Sequence, residues 1–158
     1  TLGKPEDDSN NTFYVRLLML LESKCLLGTA AYDFAKEEVI TSYWRDYEDH
    51  KESFVPACLT NDIIRLWRTF CVNYEARTEN QPEEKKAKRK LKNYKLKHSR
   101  LLTCYSTLLC LLETYQRVGT VSPTDALEVS ALTPTQRLER LKETLAEAEA
   151  KDVVADPS

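Results

Sequence analysis

The sequence predicts an all-α fold, a helical bundle of about five to six helices. Only three of its 158 residues are glycine, which disfavours both the tight turns that join strands and the loops that wrap phosphates. Apolar residues recur at steps of three and four, the spacing of one helix face rather than of a strand. Residues 11–151 are therefore predicted to form a single domain, between a disordered segment at 1–10 and a frayed tail at 152–158.

The composition predicts a cytoplasmic protein. A content of 42% apolar and 30% charged residues is typical of folded rather than disordered chains. The sequence has no apolar run of the roughly 20 residues that a bilayer requires and no signal peptide, so no membrane partner is expected. Five cysteines lie in apolar surroundings without a C-x-x-C pair, which indicates reduced, buried thiols and no zinc site. Because the chain begins at a threonine, we expect it to be part of a longer protein.

The spacing of the apolar residues and the positions of glycine, proline and capping residues set the predicted helix bounds. The predicted helices cover 11–27, 30–47, 56–77, 84–117, 123–131 and 134–151. In the second helix one stripe is predicted to face inward, formed by Phe34, Val39, Ile40, Tyr43, Trp44 and Tyr47. The fourth helix would be about 50 Å long at 1.5 Å per residue, so we expect a bend between 93 and 98. Two capping boxes are predicted, formed by Ser122 with Asp125 and by Thr133 with Gln136.

The third predicted helix carries charges within an apolar pattern. Asp62, Arg65 and Arg68 follow one another at steps of three and share roughly one face, with Asn61 beside them. Partly desolvated charges are costly unless they are paired. The pattern therefore has two interpretations. It can be an Asp–Arg network that ties the helix to its neighbours, or the lining of a cleft whose arginines bind an anion such as a phosphate.

A basic segment, residues 83–100, is the second charged feature. It holds nine Lys or Arg against two acids, whereas the rest of the chain holds 14 against 23. Such segregation fits RNA, DNA or another phosphate-bearing partner, with Tyr94 and His98 available for stacking. A solvated helix end fits the same pattern.

No catalytic motif is recognised in the sequence. The two histidines, His50 and His98, have no serine, cysteine or aspartate at a spacing that suggests a triad. Neither G-x-G-x-x-G nor G-x-x-x-x-G-K-[ST] occurs, and no paired acids follow a strand-like run as a two-metal site on a sheet would need. We therefore expect the chain by itself to hold no cofactor and to catalyse no reaction.

Two stretches, FVPACLTNDIIRLWRTFCVNYEAR and KNYKLKHSRLLTCYSTL, carry a resemblance to a known family. They resemble the C-terminal helical half of bacterial nucleotidyltransferases of the DNA-polymerase-β-like superfamily. The family pattern is F-x-P-x-x-L-x-N-D-x-x-R-x-W-R-T followed by K-N-x-K-L-K-x-S-R-L-L, and the resemblance covers most of residues 13–142. Tyr94 and His98 depart from it, because more apolar residues are expected at those positions.

The resemblance implies an accessory domain that packs against a catalytic domain of the same parent chain and lines a nucleotide or nucleic-acid cleft. The G-S motif and the D-x-D of that catalytic domain are absent here, so Mg²⁺ and a nucleoside triphosphate would belong to it. Among the matching positions, the candidates for contact with a nucleotide or phosphate are Asn61, Asp62, Arg65, Arg68, Lys92, Lys95, Ser99 and Arg100. The alternative is a helical protein-interaction module that docks through the basic segment.

Overall fold

The computed structural model confirms the all-α fold. It describes residues 12–79, 82 and 85–155, with 148–155 described as backbone only. The helices are α1 (Thr12–Leu21), α2 (Thr29–Tyr43), a 3₁₀-helix (Tyr47–Asp49), α3 (Ala57–Thr78), α4 (Lys86–Tyr94), a π-helix (Lys95–Arg100), α5 (Leu101–Val118), α6 (Pro123–Ala131) and α7 (Pro134–Ala155). Within these ranges there is no strand, and no helix is both long and apolar enough to cross a membrane. The predicted disorder at 1–10 and the predicted tail at 156–158 lie outside the described residues.

One hydrophobic core joins five of these helices. Its side chains come from α1, α2, α3, α5 and α6, and its most deeply buried members include Leu17, Ile40, Ile63, Leu66 and Cys104. Helix α3 packs against α1 and α5, and α7 lies along α5. Fully burying a leucine or isoleucine side chain contributes about 1.5–3 kcal/mol relative to leaving it exposed, so this shared core sets the positions of the helices that carry the candidate residues.

Helix α1 ends at Leu21, although the apolar pattern predicted a helix as far as residue 27. The N–H of Ser23 donates to the carbonyl of Leu18 at 3.1 Å, and the Ser23 hydroxyl donates to a carbonyl in the last turn, which closes the helix. Leu26 and Leu27 are each 92% exposed. The apolar run therefore continues beyond the helix without a neighbouring element to cover it.

Helix α2 ends at Tyr43 rather than at residue 47, and its inward face differs from the predicted stripe. Phe34 is 63% exposed, so its predicted burial is wrong. The buried face begins instead at Lys36, whose ammonium donates to the carbonyl of Ser130 at 3.0 Å. Because Phe34 precedes Lys36 by two residues, it lies on nearly the opposite side of the helix.

The fourth predicted helix exists as a continuous run of α4, the π-helix and α5. The π-helix occupies residues 95–100, where the sequence predicted a bend at 93–98. A π-helix closes its hydrogen bonds five residues apart and so changes the face that the following turns present. Helix α4 accordingly buries no side chain in the described residues, whereas α5 buries seven.

Both predicted capping boxes form. The N–H of Asp125 donates to the Ser122 hydroxyl at 3.1 Å, and the N–H of Ser122 donates to the Asp125 carboxylate at 2.8 Å. Thr133 and Gln136 exchange the equivalent pair at the start of α7. Helix α7 runs to Ala155, beyond its predicted end at 151. Its last turns are rich in Ala, Glu and Lys and contain neither glycine nor proline, and good helix formers prolong a helix.

The cysteines are all free, but only two of them are buried. Cys104 and Cys110 lie in the interior, Cys25 and Cys71 are partly exposed, and Cys58 is exposed. The predicted burial of all five is therefore wrong. Cys58 lies one position before the buried Leu59 and so misses the inward face of α3.

We expect the protein to lose stability as the pH rises from 9 to 10. Burial raises the pKa of the Cys104 thiol from 9.0 to about 12 and also raises the pKa of Cys110. The contribution of these protonated thiols to the free energy of unfolding is fully present below pH 9. It is lost as the pH rises toward the pKa of the thiols in the folded protein, because the thiols of the unfolded chain release their protons first. Each thiol contributes up to about 1.4 kcal/mol per pH unit, which urea unfolding at several pH values measures.

The slope of the free energy of unfolding against pH distinguishes the ionisation of buried thiols from a simple loss of packing. Cys104→Ala should lower the stability at every pH and also reduce the slope, since one buried thiol is gone. Cys58→Ala, at an exposed position, is the matched control and should leave the slope as it is. An unchanged slope in Cys104→Ala would contradict the account.

Candidate functional site

Asp62, the acidic member of the predicted α3 group, lies in the core. Its Oδ2 accepts a hydrogen bond of 2.6 Å from the Tyr43 hydroxyl, and that hydroxyl accepts one of 2.9 Å from Nε of Arg16. Nη2 of Arg16 lies 3.4 Å from the same carboxylate oxygen, and Arg16 is 0% exposed. Burial first, and then the hydrogen bond to Asp62, raise the pKa of Tyr43, so its hydroxyl stays protonated. This triad ties α1, α2 and α3 together.

Arg65 and Arg68 do not both join Asp62 in the single network that their spacing suggested. Nη1 of Arg65 is 4.0 Å from Oδ1 of Asp62, and its guanidinium lies 4.0 Å from the centroid of the Phe13 ring. Arg68 is exposed and does not join the triad. Arg16, which does join it, stands alone in the apolar run FYVRLLMLL, so only its charge inside a buried stripe could have singled it out.

A shallow groove runs along the exposed side of α3. Asn61, Arg65 and Arg68 line it together with Thr69 and Asn73, and its volume is about 490 Å³. The structure therefore brings three of the candidate residues together on one face, and leaves their neighbour Asp62 beneath them.

A second depression of about 240 Å³ lies between α3, α4 and the π-helix. Its cationic side chains are Arg77, Lys92, Lys95 and Arg100, and none of its lining residues within the described part of the chain is acidic. Its other main lining is aromatic and consists of Tyr14, Phe70 and Tyr74. We call it the aromatic–basic cleft. Planar rings beside cations suit the stacking of nucleobases and the pairing of phosphates.

The third depression, which we call the hydroxyl pocket, has a volume of about 560 Å³. Its charged lining side chains are Glu22, Lys24, Lys95 and Arg100, and its hydroxyl lining side chains are Ser23, Ser99, Thr103, Ser130 and Thr133. Lys95 and Arg100 line the aromatic–basic cleft as well, so the two depressions adjoin. Arg100 is ion-paired with Glu22, and its guanidinium lies 4.8 Å from the centroid of the Phe70 ring.

The π-helix explains why three candidate residues meet at this junction. Lys95, Ser99 and Arg100 are separated by four and five positions, and a helix with hydrogen bonds five residues apart brings such positions to one side. In a regular α-helix Arg100 would turn away from Lys95. Neither glycine nor proline marks this segment, so no local signal in the sequence predicted the π-helix.

Tyr94 and His98, the predicted stacking residues, lie outside the three depressions. Their rings stack on each other with centroids 4.3 Å apart, and Tyr94 is 62% exposed. The aromatic residues that do line the cleft come from α1 and α3. The sequence did not single them out, because their meeting with the basic segment depends on how the helices pair.

Arg137 is a second fully buried arginine that the sequence did not indicate. Its Nε donates to the carbonyl of Val129 at 2.9 Å and its Nη2 to that of Leu21 at 3.5 Å, both in the last turns of helices. Such carbonyls carry partial negative charge and so stabilise a cation. Within the described residues, Nη1 of Arg137 has no hydrogen-bond partner. Burial lowers the pKa of Arg137 to about 10.

The described residues contain no group of three or more His, Cys, Asp or Glu side chains that could hold a metal ion. Comparisons with protein families, with curated proteins and with solved structures find no match for this chain. Its function is therefore inferred from the geometry of the groove, the aromatic–basic cleft and the hydroxyl pocket.

Proposed function

We propose that the chain is the accessory, substrate-side domain of a nucleotidyltransferase and that its aromatic–basic cleft lines the path of a nucleotide or a nucleic-acid strand. The observation that supports this most is the lining of the cleft, where the described residues include four cations and three aromatic rings and no acid. Base–aromatic stacking contributes about 1–3 kcal/mol per base and tolerates any sequence, and the cations pair with phosphates.

The neighbouring depressions favour a strand over a single nucleotide. The groove shares Asn73 with the cleft, and the cleft shares Lys95 and Arg100 with the hydroxyl pocket. Candidate side chains from Arg68 to Ser99 thus border one continuous track. A track of cations with aromatic rings along it is the usual arrangement for binding single-stranded nucleic acid.

In this proposal the chain contributes position and charge rather than catalysis. The catalytic domain, in the same parent chain, binds the nucleoside triphosphate and supplies the carboxylates that bind Mg²⁺. The side chains of the cleft hold the acceptor or nucleotide against that domain, and such positioning lowers the barrier by converting an encounter into an intramolecular step. The Arg16–Tyr43–Asp62 triad acts at a distance, because it fixes the helix that carries the arginines.

The alternative, a protein-interaction module, has one observation in its favour. Leu91, Tyr94 and His98 follow one another at steps of three and four on the basic segment, outside the cleft, and the first two are more than half exposed. Exposed aromatic and apolar side chains on a helix are typical of a surface that docks another protein.

We expect Lys92→Gln with Lys95→Gln to weaken the binding of short single-stranded RNA or DNA about tenfold or more, since both cations face the cleft. Fluorescence anisotropy with a labelled strand measures the change. Lys90→Gln with Lys97→Gln is the matched control, because it removes the same charge from the same segment outside the three depressions. The control is expected to weaken binding much less, and neither pair should affect folding, since exposed charges contribute little to stability.

Equal weakening by the two pairs would show attraction to the basic segment as a whole and would contradict a role for the cleft. Absence of binding even at low salt would remove nucleic acid as the ligand. If instead Tyr94→Ala with His98→Ala abolishes the capture of a protein partner while the lysine pairs do not, the interaction module is the better account.

A further inference from the structure

We propose that the hydroxyl pocket binds an oligophosphate, either inorganic pyrophosphate or the phosphates of a nucleotide, and that Glu22 is an internal competitor that holds Arg100 until the anion displaces it. The inference rests on the proposed function for its source of ligand, but it concerns a different pocket. Its starting point is the charge of that pocket, where the three cations Lys24, Lys95 and Arg100 face one acid.

The Glu22–Arg100 pair is the only ion pair that the described lining residues of the pocket make with one another. The side chains of Arg100 and Glu22 are 38% and 26% exposed, so water screens the pair incompletely. Arg100 also borders the aromatic–basic cleft. Because one guanidinium serves both depressions, its pairing with Glu22 withholds a cation from each of them.

The hydroxyl side chains of the pocket are mostly occupied as donors. Thr103 donates to the carbonyl of Ser99, Ser130 to that of Leu127, and Thr133 to the side chain of Gln136. The Ser99 hydroxyl makes no such bond within the described residues. The donors left for an anion are therefore Ser99 and the cations, a set that suits several phosphate oxygens better than one carboxylate.

Two further sources of positive charge lie around this pocket. Helix α7 begins at its wall with Thr133 and Pro134, and the amino end of a helix carries partial positive charge. Leu21, another wall residue, accepts a hydrogen bond from the buried guanidinium of Arg137, whose nearest partners are carbonyls rather than a carboxylate. A bound anion would add negative charge on this side of the molecule, where the hydrogen-bond acceptors of Arg137 are carbonyls.

Charge explains why an oligophosphate can displace Glu22. A carboxylate carries a single negative charge, whereas a phosphate monoester carries about −1.5 to −2 at neutral pH, and a pyrophosphate group offers more oxygens to the fork of an arginine. Lys24 and Lys95 remain in place to share that charge. The exchange therefore replaces one ion pair by several charge-assisted hydrogen bonds.

The test is calorimetric titration of the full chain with sodium pyrophosphate at low salt. We expect Glu22→Gln to raise the affinity about tenfold, because Arg100 is released, and we expect this gain to vanish in Glu22→Gln with Arg100→Gln. Glu113→Gln is the matched control, since it removes a glutamate that pairs with Arg117 on α5 outside the pocket. Equal effects of Glu22→Gln and Glu113→Gln would overturn the inference, because net charge alone would then explain the change.

Two further measurements keep the outcome clear. Ser99→Ala, at an exposed position, should lower pyrophosphate affinity about threefold without changing the thermal unfolding of the protein, and an unchanged affinity would count against the pocket. A nucleoside triphosphate should gain affinity in Glu22→Gln as pyrophosphate does, while a nucleoside without phosphates should not. Pyrophosphate binding without RNA or DNA binding would uphold this inference and contradict the strand path. Strand binding whose affinity is the same in Glu22→Gln as in the parent protein would support the strand path and contradict this inference.

Discussion

Asp62→Ala is expected to lower the free energy of unfolding by about 3 kcal/mol, which is a large part of the stability of a domain of this size. The substitution removes the carboxylate that accepts from the Tyr43 hydroxyl and faces the guanidinium of Arg16. Because Arg16 is 0% exposed, water cannot replace the lost carboxylate, and a buried positive charge loses this compensation. Urea unfolding followed by circular dichroism measures the change.

Two further variants test whether Asp62→Ala loses stability because the buried Arg16 charge loses its carboxylate partner. Asn61→Ala, one position before Asp62 but exposed, should change the stability by no more than about 0.5 kcal/mol. Replacing the whole triad by apolar groups, as in Arg16→Met with Tyr43→Phe and Asp62→Leu, should restore most of the loss, since these three positions then carry no buried charge. Asp62→Ala as stable as the parent protein would place this carboxylate in solvent and contradict the structure.

Local signals in the sequence were sufficient for much of the fold. The hydroxyl–proline pairs and the acceptors three residues on predicted the starts of α6 and α7, because a capping box involves only neighbours in the chain. The bounds of α3 followed in the same way from its long apolar pattern. These elements need no knowledge of what lies opposite them.

Burial that depends on a partner helix could not be predicted. Leu26 and Leu27 fit the period of α1 but lie past its end in solvent, and Phe34 fits the period of α2 but lies on its outer side. Lys36 and Arg137 are buried because carbonyls at the ends of other helices accept from them. Only the packed arrangement brings those carbonyls within reach.

The candidate site also combines features set within one helix with features set by the packing of several helices. Asn61, Arg65 and Arg68 belong to one helix, so their spacing alone placed them on one groove. The aromatic–basic cleft is built across helices, and its rings from α1 and α3 meet the lysines only through tertiary packing. The π-helix at its edge arises without glycine or proline, so the shared position of Lys95 and Arg100 had no local signature.

The binding of single-stranded nucleic acid is expected to weaken steeply with salt. If the four cations of the cleft each contact a phosphate, release of counterions gives a slope of about −2.8 for the logarithm of affinity against that of salt concentration. Affinity would then fall about 50-fold between about 50 and 200 mM salt. Anisotropy titrations at several salt concentrations measure the slope directly.

The slope, unlike the affinity at one salt concentration, counts the contacts. Lys92→Gln with Lys95→Gln should halve it to about −1.4, so that the same change of salt weakens binding only about sevenfold. Lys90→Gln with Lys97→Gln should leave it near the parent value, because those side chains lie outside the cleft. A parent slope near zero would show that phosphates are not contacted. A protein-docking arm instead predicts little affinity for RNA or DNA at about 0.15 M salt, where exposed charges are screened within about 8 Å.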